Sequence, residues 1–157
     1  MANAKPSPRI IRRTLSCALI SLLTAASLRA PAARAGEPPA FRVIVHPKNP
    51  LASASREFVS DVFLKRVTRW GDGETIKPVD LRPDSAVRRK FSERVLKRSV
   101  AAVRSYWQQR IFSGRDVPPP ELDSEAAVVS YVASHPNAIG YVSGSADLGN
   151  TRELALR

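Results

Sequence analysis

Apolar positions along this chain change period several times, and each change predicts an element. Residues 41–45 (FRVIV) form a β-branched run stopped by His46-Pro47, which predicts a strand ending where proline cannot donate to a ladder. After the loop Lys48-Asn49-Pro50, either Ser53 or Ser55 can cap a helix running to about Leu64, with Phe58, Val59, Val62 and Phe63 as its apolar stripe. Trp70-Gly71-Asp72-Gly73 predicts a tight turn, and residues 76–81 (IKPVDL) a second strand whose Pro78 argues for an edge or an irregular start. Pro83-Asp84-Ser85 opens a helix with Val87, Phe91 and Val95 spaced by four. Ser99 caps the next, through Val103, Tyr106, Trp107 and Ile111 to Phe112-Ser113-Gly114. Residues 117–120 (VPPP) are an extended connector. Asp123 or Ser124 then starts a helix with Val128, Tyr131 and Val132 inward and His135-Pro136-Asn137 as its stop. Residues 138–143 (AIGYVS) read as a buried strand, and 153–156 as a last short one.

That order predicts an α/β domain, a mixed sheet covered by about four helices. No internal repeat interrupts it.

One apolar run stands apart. Residues 14–28 (TLSCALISLLTAASL) follow a start that holds Lys5, Arg9, Arg12 and Arg13 and no acid, and precede Ala33-Arg34-Ala35. Basic region, short apolar run and small-residue site are the parts of a secretory signal peptide, with cleavage expected after Ala35. The run is shorter than the roughly 20 apolar residues of a membrane span, so contact with the membrane is expected only during export. Arg12-Arg13 invites a twin-arginine route, but Thr14-Leu15-Ser16 adds no strong consensus and the ordinary route is the better reading. Cys17 begins the apolar run, whereas a lipoprotein cysteine would end it. The expected organisation is a signal peptide over residues 1–35, a linker over 36–40 and one domain over 41–157, in the periplasm.

Composition now reads differently. The 157 residues carry 25 Lys+Arg against 14 Asp+Glu, a net charge of +11. Residues 1–35 hold six of the basic residues and no acid, which leaves 19 against 14, a net +5. The sole Cys goes with that segment, so no disulfide framework is possible. Trp70, Tyr106 and Trp107 sit at turn or helix positions typical of core, so the nucleic-acid reading loses its main supports. His46 and His135 are the only histidines, each beside a proline, and no ligand cluster accompanies them; neither metal nor cofactor is expected. No G-x-S-x-G, phosphate-loop or paired-carboxylate signature is present, so no catalytic residue is assigned and the protein is expected not to be an enzyme.

Several motifs resemble those of small phosphate ABC transporter substrate-binding-like proteins. His46-Pro47-Lys48-Asn49-Pro50 is similar to their V-N-P-x-N-P opening, and Ser55-Arg56-Glu57-Phe58-Val59 with Phe63-Leu64-Lys65 to the segment that follows. Trp70-Gly71-Asp72-Gly73 with Ile76-Lys77-Pro78-Val79-Asp80 resembles their W-x-D-G…I-x-P-V-D hairpin. Tyr106-Trp107, Phe112-Ser113-Gly114 and Ala138-Ile139-Gly140-Tyr141-Val142 complete the series. The resemblance covers about residues 41–143 and implies one lobe of a type-2 periplasmic binding protein fold. It further implies an exported, non-enzymatic protein that binds phosphate or a related oxyanion, with a transporter permease or another envelope protein as partner.

The residues offer an oxyanion site at Asp80-Leu81-Arg82-Pro83-Asp84-Ser85-Ala86. A helix starting there presents unpaired N–H groups, Ser85 a hydroxyl, and Arg82 and Arg88 charge-assisted contacts. Asp84 can accept the proton of a monoprotonated phosphate. Ser53 and Ser55 in the first loop complete the candidate set. Against this stands the plain reading, in which Asp84 or Ser85 caps the helix and the arginines are solvated. Neither loop contains the glycines that let backbone close around an oxyanion. The alternative function is an interaction module without a ligand, using the basic face of Arg88, Arg89, Lys90, Arg94, Lys97 and Arg98 towards an acidic partner or anionic membrane surface.

Overall fold

The computed structural model describes residues 40–157; the segment read as a signal peptide, and all but the last residue of the linker, lie outside the described residues. Strand β1 spans Arg42–Val45 and β6 spans Ala138–Val142. Both are near-continuous apolar runs, and both lie inside the sheet, where each face of a strand is covered. They pair antiparallel, with Ile44 opposite Gly140. On the far side of β1 comes antiparallel β7, Arg152–Leu156, and beyond it β2, Ser53–Ala54, running parallel to β7. β3, Lys77–Pro78, closes the other edge parallel to β6, which gives the order β2-β7-β1-β6-β3. Its proline thus stands at an edge, where a missing N–H costs no ladder bond.

Residues 76–81, read as one strand, divide. β3 ends at Pro78, Val79 is buried, and β4, Asp80–Leu81, pairs parallel with β5, Glu121–Leu122, in a separate two-stranded sheet. The proline connector before β5 delivers that strand, and Asp80 N–H donates to the Pro120 carbonyl at 2.9 Å.

Helices α1 (Arg56–Phe63), α2 (Ala86–Phe91), α3 (Val100–Phe112) and α4 (Glu125–Ser134) cover the sheets. Each has a serine cap whose hydroxyl accepts a backbone N–H: Ser55, Ser85, Ser99 and Ser124. Ser53, the other candidate cap for α1, belongs to β2 instead. α2 runs on into a wider π turn over Ser92–Leu96, ended by Lys97 in the left-handed conformation at φ 54°. In α3, Val103 and Trp107 are buried, whereas Tyr106 is half-buried and Ile111 exposed. In α4, Val128 and Val132 are buried and Tyr131 only partly.

The core is centred on aromatic rings. Tyr141 of β6 stacks on Phe91 at 3.8 Å between centroids, and Phe63 meets Phe91 edge-on at 4.8 Å. α4 lies so close over β6 that a Cβ on Gly140 would fall 2.6 Å from Val128 Cγ1. That contact requires glycine at position 140 if α4 is to keep its place over β6.

Candidate functional site

α2 and α4 both begin beside the short β4–β5 sheet, and an open groove of about 700 Å³ lies there. Arg82, Asp84, Ser85, Asp123, Ser124 and Glu125 supply its polar lining. The exposed Arg82 is the groove's cation. Its Nη1 lies 3.2 Å from Asp123 Oδ1 and its Nε 3.8 Å from Asp84 Oδ1. Ser85 Oγ accepts the Arg88 N–H at 3.3 Å, and Ser124 Oγ accepts that of Ala127 at 3.1 Å. Both hydroxyls keep a donor proton for another acceptor. Glu125 Oε2 accepts the Ser143 N–H and hydroxyl, each at 2.7 Å, tying the start of α4 to the end of β6.

Arg82, Asp84 and Ser85 therefore meet in one groove; the other three candidates lie elsewhere. Ser53 is held on β2, where its hydroxyl bonds Arg157 Nε at 2.8 Å. Ser55 caps α1, accepting the Phe58 N–H at 3.0 Å. Arg88 turns inward, away from solvent, and forms an ion pair with Asp80. Its Nη1 also lies 3.4 Å from the Leu81 carbonyl, and the Tyr141 hydroxyl donates to Asp80 on the same oxygen that accepts Leu81 N–H. Burial pushes the Arg88 guanidinium below its ordinary pKa, and the neighbouring Tyr141 and Glu121 partly offset that. Burial likewise raises the Tyr141 phenol, with Arg88 and the Leu81 N–H pulling it back. A buried pair of this kind holds structure, because removing either partner strands a charge.

In the sequence Asp123 and Ser124 are alternative starts for a helix, not site residues, and their place beside Arg82 depends on β4 pairing with β5. No local sequence signal marks that pairing. Arg88 did carry a signal: it stands three and seven residues before Phe91 and Val95, on the inward stripe of the helix.

The histidines serve locally. His46 Nδ1 accepts the Lys48 N–H at 3.1 Å, and the His135 ring stacks on Tyr131. Among the described residues no cluster of three or more His, Cys, Asp or Glu could hold a metal, and no helix is long and apolar enough to cross a membrane.

The fold is that of one lobe of a periplasmic binding protein. A phosphate transport receptor from Vibrio cholerae aligns with a TM-score of 0.58 and 18% identity, over 74% of this chain and 46% of its own. A phosphate ABC transporter substrate-binding protein from Clostridium perfringens, with phosphate bound, gives 0.59 and 20%, over 74% and 44%. PstS from Borrelia burgdorferi gives 0.56 and 12%, over 75% and 47%. The chain thus spans less than half the length of these proteins. No protein-family model matches the chain, and no curated protein matches it.

Proposed function

We propose that this is an exported, non-catalytic solute-binding lobe that takes phosphate or a related oxyanion at the Arg82 groove. One observation carries the reading: the exposed guanidinium of Arg82 stands among two serine hydroxyls at the starts of α2 and α4. The first N–H groups of α4 have no acceptor within the helix and point the positive end of its dipole at the same space. The fold shared with phosphate receptors supports the ligand class. Asp84 and Asp123 oppose a fully ionised anion but accept hydrogen bonds from a protonated one. That balance favours hydrogen phosphate over sulfate, which carries no proton at neutral pH. It also makes the groove a half-site of modest affinity, completed by a second lobe, a second copy or a permease in the periplasm. Residues 1–35 are removed at Ala35 in this reading.

The experiment is thermal unfolding with and without millimolar phosphate at constant ionic strength, with sulfate as control. A phosphate-specific rise of a few degrees is expected, of the order that mass action gives at ligand well above its Kd. An equal response to both anions, or none, would refute the assignment.

A second reading draws on a different surface. Arg89, Lys90, Arg94, Lys97 and Arg98 are all exposed, so the same fold also presents a basic face to an acidic envelope partner. Arg88 is absent from that face because it is buried. This reading expects a salt-sensitive association lost on neutralising Arg89 and Arg94, with no response to phosphate.

A further inference from the structure

The groove at Arg82 is not the most basic concavity of the molecule. A cavity of about 480 Å³ shares no residue with it and is lined by Arg42, Arg56, Arg94 and Lys97 against one carboxylate, Glu153. These cations come from distant parts of the chain. Arg42 is on β1, Arg56 opens α1, Arg94 lies in the π turn and Lys97 is its left-handed end. Of these four cations only Arg42 has an ion-pair partner among the described residues, Glu153 at 3.8 Å. Arg42 also donates to the Ala146 carbonyl, while its Nε is buried without an acceptor.

Like charges gathered around one space repel, and Arg56 adds to the cost by standing at the positive end of a helix dipole. Among the described residues Arg56, Arg94 and Lys97 have no ion-pair partner to offset this. The walls beside them are apolar, from Phe41, Val43, Leu154 and Leu156. The volume lies in the range of small-molecule sites. Guanidinium forks match phosphate oxygens two at a time.

We infer that this cavity is a second anion site, built for a phosphoester whose organic part lies against Leu154 and Leu156. It is independent of the Arg82 groove. The phosphoester is either a small soluble phosphomonoester or the phosphodiester headgroup of an anionic lipid, and the chemistry they share is a pair of unesterified phosphate oxygens.

Calorimetric titration of the protein with glycerol 3-phosphate, and co-sedimentation with phosphatidylglycerol vesicles against phosphatidylcholine vesicles, test it. Saturable binding in the first arm identifies a soluble ester, and binding to phosphatidylglycerol alone identifies a headgroup; each supports the site. Arg56→Gln and Arg94→Gln each weaken binding about tenfold, as loss of one charge-assisted contact does. Glu153→Gln tightens it by up to about fivefold, because the opposing carboxylate is gone. Arg82→Ala leaves it unchanged, which separates this site from the groove. All these changes are at exposed or partly exposed positions, and thermal midpoints without ligand check that the fold is kept. No binding in either arm overturns the inference, as does binding that Arg82→Ala abolishes and Arg56→Gln with Arg94→Gln do not touch.

Discussion

Arg82 and Arg88 flank the same serine cap, yet they have opposite fates. Arg82 precedes the helix and stays in solvent, shared loosely between Asp84 and Asp123. Arg88 falls on the face that also carries Phe91, Ser92 and Val95, and is drawn under the short sheet to Asp80. Exposed pairs are worth little because water and salt screen both charges. A buried pair is held by its surroundings, and breaking it exposes the desolvation cost of whichever charge remains. Position relative to the helix, and not residue type, thus separates an arginine free to meet a ligand from one that holds the fold.

The largest effect is expected at the buried pair. Arg88→Ala leaves Asp80 charged and dry, and should cost about 3–5 kcal/mol in chemical denaturation. Replacing both partners, Asp80→Leu with Arg88→Met, should cost less than the two single changes together, since neither charge is then stranded. If Arg88→Ala were as mild as an exposed substitution, the contrast between the two arginines would collapse. Gly140→Ala comes next. Its Cβ would meet Val128, Val79 and Val132, and the overpacking should cost about 1–3 kcal/mol while pushing α4 off the sheet. Because α4 brings Ser124 to the groove, this variant should also blunt the phosphate response.

Two smaller effects sharpen the comparison from the exposed side. Asp116 is pulled in opposing directions: burial raises its pKa, but the Val117 N–H, Lys65 and Arg110 win, and the carboxyl sits below its ordinary value. A lowered folded pKa gives stability that is present above the ordinary carboxylate value of about 4 and lost as pH falls through the folded one. Asp116→Asn should therefore cost no more than about 1 kcal/mol at neutral pH and flatten that acid limb, read from unfolding midpoints against pH. Arg82→Ala should change stability by less than about 0.5 kcal/mol.

Much of the fold was legible in the residues because the elements declare themselves locally. β1 and β6 are dense apolar runs, and serine stands at the start of each of α1–α4. What stayed hidden is non-local. β2 and β5 are two residues long and exist only through partners far along the chain, β7 and β4. The division of residues 76–81 has the same origin: Val79 is where the chain leaves one sheet for the other. The candidate site shows the same split. Arg82, Asp84 and Ser85 are neighbours in sequence and were read together, whereas Asp123 and Ser124 reach them only through β4–β5 pairing. Ser53 and Ser55 looked equivalent as loop hydroxyls, but one is fixed by Arg157 and the other by α1.

The most direct test of the division between the two arginines is the phosphate-dependent shift in unfolding temperature, measured on Arg82→Ala and on the Asp80→Leu/Arg88→Met double variant. The expected result is that Arg82→Ala keeps its midpoint and loses the shift, while the double variant has a changed midpoint and keeps the shift. A phosphate response that survives Arg82→Ala and vanishes with the buried pair would contradict the account, placing the anion at Arg88 instead.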